Sequence, residues 1–217
     1  MTNTKKIAVV LSGCGVYDGS EIHEATLTLL AIARQGAKYE IFAPDIDQAH
    51  VINHLTGEEI PERRNVLVEA ARIARGNISD LKKYHPNQFD ALVFPGGFGA
   101  AKNLSTFAFE GLNCKVNTDV ENAVKQTVSA GKPIGALCIA PATITKILGD
   151  VQVTIGNDKG NAKAIEAMGG THNNTTHGEV VFDAKYNVYT TPCYMLDATI
   201  DQIADGADNI IRAILEA

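Results

Sequence analysis

Short apolar runs alternate along the chain with longer stretches of helical periodicity. Runs at Ile7–Ser12, Tyr39–Ala43, Ala91–Pro95, Pro133–Cys138 and Val151–Ile155, mostly continuous in their apolar residues, predict strands buried on both faces. Between and after them, Glu21–Gln35, Glu62–Arg75, Asn117–Ala130, Ala162–Met168 and Thr199–Glu216 predict helices. Gly36, Gly76 and Gly131 stand just past three of these, where a helix end favours a left-handed residue. Glu179–Thr191 alternates on either side of Ala184-Lys185 and predicts a β-hairpin. This order implies an α/β sandwich: a mostly parallel sheet with helices on both faces. Ligands bind such sheets beyond the carboxyl ends of the strands, so the loops after strands are the places to search for chemistry.

Composition narrows the classes. The 217 residues are 45% hydrophobic and carry a net charge of −6, enough chain for one domain (1–217) with a sizeable core. Lys and Arg are scattered, whereas a nucleic-acid surface needs them clustered. Met1–Lys6 is too short and polar for a signal peptide, and no apolar run reaches the length of a membrane span. Cys14, Cys114, Cys138 and Cys193 include no C-x-x-C pair and no zinc-type spacing. Reduced thiols in the cytoplasm, with no metal, are the expectation.

The loop after the first strand reads Gly13-Cys14-Gly15, then Gly19, so it misses the third glycine of a dinucleotide-binding loop. Asp18, Glu21 and Glu24 crowd the following helix start, where a bound pyrophosphate would be repelled. Asp18 and Glu21 have capping-box spacing. Glu24 lies a turn further in, beside Ala25 of the apolar stripe, and spacing alone favours a solvated glutamate. After the third main run, Gly96-Gly97 makes a turn tight enough to bring backbone close to a ligand, or simply a turn. After the fourth, Cys138 ends a strand and Ala140-Pro141-Ala142 begins a helix. That is the layout of a nucleophile elbow, and a thiolate at a helix N-terminus is stabilised. A buried structural cysteine is the plain alternative. Cys114 reads as structural, and Cys193, after Pro192, as a neighbour of the site.

These loops together resemble the ThiJ/PfpI superfamily, and within it the ElbB-type (enhancing lycopene biosynthesis) proteins, also described as glyoxalases. The matching stretches are SGCGVYDGSEIHEA, FAPD, VINHLTGE, RNVLVEAARIARG, PGGFGAAKNLS, CIAPA, TIG and TTPCYML, which cover most of the chain. The resemblance implies a flavodoxin-like fold of the class I glutamine amidotransferase-like kind, usually a homodimer. It implies Cys138 as nucleophile and Glu24, counted back from Gly36-Ala37, as its carboxyl partner, leaving Glu21 as the cap. Backbone N–H groups of Gly97 and Ile139 become the oxyanion donors, with Cys14, His23 and Asn103 as candidate auxiliary groups. Many superfamily members carry a histidine next to the cysteine; here Ile139 stands there. His23 is expected at the surface, and His172 and His177 in a polar loop.

Three functions follow. The first is a cofactor-independent, glutathione-independent glyoxalase, in which Cys138 adds to glyoxal or methylglyoxal and Glu24 moves protons through an enediol to glycolate or lactate. Because a carboxylate repels a thiolate, Glu24 should be protonated whenever Cys138 is ionised, and the two titrate as a pair. The second is a Cys-dependent hydrolase or amidotransferase using His177-Gly178-Glu179 as its H-x-E. The third is a non-enzymatic thiol stress sensor, or a modulator of isoprenoid biosynthesis acting through a partner.

Overall fold

The computed structural model describes residues 4–217; Met1–Asn3, part of the segment read above as too short for targeting, lie outside them. Among these residues the strands, in chain order, are β1 (Lys6–Val10), β2 (Lys38–Ala43), β3 (Ile78–Asp80), β4 (Ala91–Phe94), β5 (Ile134–Leu137), β6 (Gln152–Val153), β7 (Thr171–His172), β8 (Val181–Asp183) and β9 (Val188–Thr191). Seven of them form one sheet in the order β3-β2-β1-β4-β5-β9-β8. Every neighbouring pair is parallel except β8 and β9, the expected hairpin. The helices are α1 (Ile22–Arg34), α2 (Val66–Ile73), α3 (Phe98–Lys102), α4 (Phe107–Glu110), α5 (Thr118–Ser129), α6 (Ala140–Leu148), α7 (Lys159–Ala167) and α8 (Ile200–Glu216).

The continuous apolar strands serve two cores at once, as their pattern requires. Successive side chains of a strand point to opposite faces. Ile7 and Val9, with Leu11 just beyond the strand, pack under α1, α2 and α8. Ala8 and Val10 face the other way, toward Phe94, Val120, Val124 and Ile144. The chain runs outward from β1 to β3, then returns to β4 on the other side of β1. That reversal opens a crevice at the carboxyl ends of the central strands. The loops after β1, β4, β5 and β9 all emerge there.

Some expectations need correction. The run Val151–Ile155 does not join the main sheet. Only Gln152–Val153 is a strand, and it pairs in parallel with β7 as a separate ladder. The place beside β5 is taken by β9, the return strand of the hairpin. The second helix begins at Val66, not Glu62, because the Asn65 side chain caps it by accepting the Val68 N–H at 3.0 Å. The fourth begins earlier than expected, at Lys159, because Asp158 caps it through the Asn161 N–H at 2.8 Å. β3 was not expected; three residues are too few for periodicity to show.

The α1 entrance is also simpler than a capping box. Glu21 alone is the cap, its Oε2 accepting the Glu24 N–H at 2.6 Å. Asp18 instead accepts the Ile52 N–H at 2.7 Å and stands 3.8 Å from His54, tying down a neighbouring loop.

Candidate active site

Cys138 follows β5 directly. Its N–H still donates to the Thr191 carbonyl of β9 at 3.0 Å, but its φ is +60°. A left-handed conformation costs a non-glycine residue about 1–2 kcal/mol. Here that strain turns the chain sharply from the strand into α6, whose N-cap is Ile139. The elbow expected from the sequence therefore forms, and the thiol sits at the base of a cleft, 7% exposed.

Glu24 is brought to the same point from α1. It is fully buried, at 0% exposure, so the solvated reading from spacing alone is overturned. Oε2 accepts the Gly96 N–H at 3.0 Å, and Oε1 accepts the Tyr194 N–H at 3.1 Å. Burial pushes its carboxyl up to about 8, against the pull of the Tyr194 N–H; the neighbouring Glu21 adds to the push. Burial also raises the Cys138 thiol well above the ordinary range, and the Glu24 charge raises it further. The N–H groups of Gly97 and Ile139 act on the sulfur in the opposite sense. So the two expected oxyanion donors do converge on the thiol, but they do not win. The expected helix-terminus stabilisation is outweighed by desolvation and by the carboxyl, and the pair holds its protons at neutral pH.

Gly96 is what allows the two side chains to meet. A Cβ there would overlap the Cys138 Cβ and stand 2.6 Å from Glu24 Oε2 and 2.8 Å from Cys138 Sγ. Gly97 has φ +96°, and a Cβ on it would run into the Glu21 backbone. The Gly-Gly turn is therefore a close approach of backbone to the site, and not only a turn.

The auxiliary residues divide. His23 is half-exposed at the surface, as expected, with Nδ1 2.9 Å from the Tyr194 hydroxyl. Asn103 is a strut: its Nδ2 donates to the carbonyls of Ser12 and Asp18, and its Oδ1 accepts the Ala49 N–H. Cys14 is not drawn to the pair either. Its thiol is raised by burial and then by Glu69, with Arg72 opposing, which places it toward α2. Cys193 does sit close to the pair, buried, with φ +43°; burial, then Glu24 and Cys138, raise its thiol. Cys114 is buried away from the cleft lining. His177 is exposed and outside that lining, and Glu179 accepts the Thr176 N–H instead of pairing with a histidine. Among the described residues, no three His, Cys, Asp or Glu side chains gather as a metal site would require. No helix of theirs is long and apolar enough to cross a membrane.

Tyr194 was missed by sequence reasoning. Its N–H holds Glu24 and its ring lines the cleft. The only signal was its place in TTPCYML, directly after Cys193. The cleft has a volume of about 530 Å³.

No protein-family model matches the chain. Curated relatives do. It is 49% identical over 221 residues to the Homo sapiens glutamine amidotransferase-like class 1 domain-containing protein 3, mitochondrial, spanning 97% of this chain and 82% of that one. It is 47% identical to the Rattus norvegicus ES1 protein homolog, mitochondrial, spanning 97% and 83%. The chain belongs to the ES1 family of glutamine amidotransferase-like class 1 domain proteins. A solved member of similar sequence is an isoprenoid biosynthesis protein with amidotransferase-like domain from Ehrlichia chaffeensis, 37% identical, with a TM-score of 0.90 over 97% of this ES1-family chain and 99% of that one. Drosophila melanogaster DJ-1beta, 16% identical with a TM-score of 0.58 over 98% and 91% of the chains, shares the fold. The ElbB-type and ThiJ/PfpI resemblance read from the motifs, and the flavodoxin-like fold it implied, agree with this placement of the ES1 chain.

Proposed function

We propose that the protein is a glutathione-independent glyoxalase that turns an α-oxoaldehyde into the corresponding 2-hydroxy acid. The observation that carries this reading is Glu24, a fully buried carboxyl beside the Cys138 thiol with its ionisation pushed to about 8. A structural carboxyl gains nothing from that position, whereas one acid–base group beside one nucleophile is what the reaction needs.

The chemistry balances with these two groups. The Glu24 carboxylate takes the thiol proton as sulfur attacks the aldehyde carbon, and the proton passes to the resulting alkoxide to give a hemithioacetal. The N–H groups of Gly97 and Ile139 steady the oxyanion. Glu24 then takes the proton from that carbon and delivers it to the neighbouring carbonyl oxygen, giving an enediol. It next takes the hydroxyl proton of the sulfur-bearing carbon and delivers it to the second carbon, leaving a 2-hydroxy thioester on Cys138. Water hydrolyses it, freeing the acid and the thiol. The aldehyde carbon is oxidised and its neighbour reduced, so no outside electron carrier takes part.

A Cys–His hydrolase is disfavoured because His177 is exposed outside the cleft and His23 is engaged by Tyr194. A low-pKa sensor thiol is disfavoured because Cys138 is buried and its pKa is raised, by burial and then by the Glu24 charge. The word amidotransferase belongs to the relatives' names. A homodimer in a reducing, cytoplasmic setting belongs to the same proposal; all four cysteines are free thiols. The test is incubation with methylglyoxal and glyoxal without glutathione, following lactate and glycolate. The wild type should form both acids and Cys138→Ala neither; no acid from the wild type refutes the reading.

A further inference from the structure

We infer that the cleft above Cys138 takes an α-oxoaldehyde with an apolar, ring-sized tail in preference to glyoxal or methylglyoxal. This rests on the glyoxalase reading and names the substrate class of the same site. A cleft of about 530 Å³ falls within the range of sites that enclose drug-sized ligands, roughly 300–1,000 Å³. A two- or three-carbon dicarbonyl bound to the thiol leaves most of it to water.

The character of the wall says what fills the rest. The reacting end is polar: the thiol, Glu21, Tyr194 and the N–H groups of Gly97 and Ile139. The rest of the lining is Val16, Phe98, Ala101, Phe107, Ala108 and Met195, and the one further polar side chain is Asn161. Water against such a wall gains by release when an apolar group replaces it. Phenylalanine rings and a methionine thioether suit a flat or branched apolar group in particular.

Charge excludes the other large candidates. No Lys, Arg or His lines the cleft, and the carboxyl of Glu21 does. Lys102 stands 5.3 Å from the centre of the Phe98 ring, but its ammonium donates to the Tyr17 carbonyl at 2.8 Å. A phosphorylated or carboxylated tail would enter with no cation to meet it. A neutral, apolar tail has no such cost. The covalent steps are those already given, with the tail on the ketone carbon; phenylglyoxal would leave as mandelate.

The experiment measures initial-rate kcat/KM for phenylglyoxal and methylglyoxal without glutathione, in the wild type, Phe107→Ala and Ala108→Leu. The two variants control for the intrinsic reactivity of the aldehydes, because only the wall changes. Ala108 is exposed, so its substitution narrows the cleft without disturbing the core. The wild type should prefer phenylglyoxal by at least about tenfold, the scale on which an apolar pocket discriminates. Each variant should lower the phenylglyoxal-to-methylglyoxal ratio about threefold or more. Methylglyoxal turned over as well as phenylglyoxal, or a ratio unmoved in both variants, overturns this inference and leaves the glyoxalase reading standing. No turnover of either aldehyde overturns both.

Discussion

Replacing Glu24 by glutamine should flatten the decline of stability with pH that its carboxyl imposes on the wild type. The carboxyl ionises near 4.5 when free and is pushed up to about 8 in the fold. Between those values the folded chain holds a proton that the unfolded chain has released. Its contribution to stability is complete below pH 4.5 and is lost as pH rises through 8. The slope is about 1.4 kcal/mol per pH unit. From pH 5.5 to 7.5 the wild type should therefore lose about 2.5 kcal/mol from this one group. Glutamine does not titrate, so the variant loses none of it. The variant also carries a constant cost. Both carboxyl oxygens accept a backbone N–H, from Gly96 and Tyr194, and an amide has only one oxygen to offer. One N–H then goes unpaired, for about 1–3 kcal/mol at every pH. The difference between the pH values, not the level, is thus the test. Urea unfolding of both proteins at pH 5.5 and 7.5, at one protein concentration, supplies it. Parallel dependence of stability on pH in the two proteins would refute the assignment of a raised carboxyl to Glu24.

Three further outcomes follow from the same geometry. Turnover of an α-oxoaldehyde should rise as pH passes through about 8, where Glu24 becomes a base, and a rate flat from pH 6 to 9 would contradict that role. Gly96→Ala should cut kcat/KM by about 10²-fold or more, because its Cβ displaces both Glu24 and Cys138; near-normal rates with the fold intact would show that the pair tolerates separation. His177→Ala should keep turnover within about threefold of wild type, on the scale of a surface substitution; a variant as inactive as Cys138→Ala, with normal circular dichroism, would favour the hydrolase.

The main architecture was legible because both-face burial writes itself as unbroken apolar runs. Ile7–Val10, Ala91–Phe94 and Ile134–Leu137 are such runs, and all became central strands. Val151–Ile155 interrupts its apolar residues with Gln152 and Thr154, and though Val151, Val153 and Ile155 are buried, its strand Gln152–Val153 forms a side ladder. Local pattern reports burial and says nothing about which core does the burying. At the site, the strand-to-helix junction at Cys138 was visible locally. Glu24 was not: its spacing is that of a solvated residue, and only the match to family motifs put it beside Cys138, where the side chain lies. Its burial depends on two N–H donors that arrive from 72 and 170 residues away in sequence. Tyr194 was hidden for the same reason, since a backbone donor has no side-chain signature. The sign of the thiol's shift was misjudged because a helix N-terminus is readable in sequence and desolvation is not.

The central claim is that Cys138 carries the substrate while Glu24 moves its protons. Carbon-13 NMR of Glu24→Gln mixed with an α-oxoaldehyde labelled at its aldehyde carbon tests it most directly. Without the carboxylate, addition is slower but still reaches equilibrium through water, whereas the carbon-bound proton no longer has a base. The spectrum should therefore show a hemithioacetal carbon that is missing from the Cys138→Ala control, while no 2-hydroxy acid accumulates. Hydroxy acid formed at the wild-type rate with Cys138 unmodified would contradict the account.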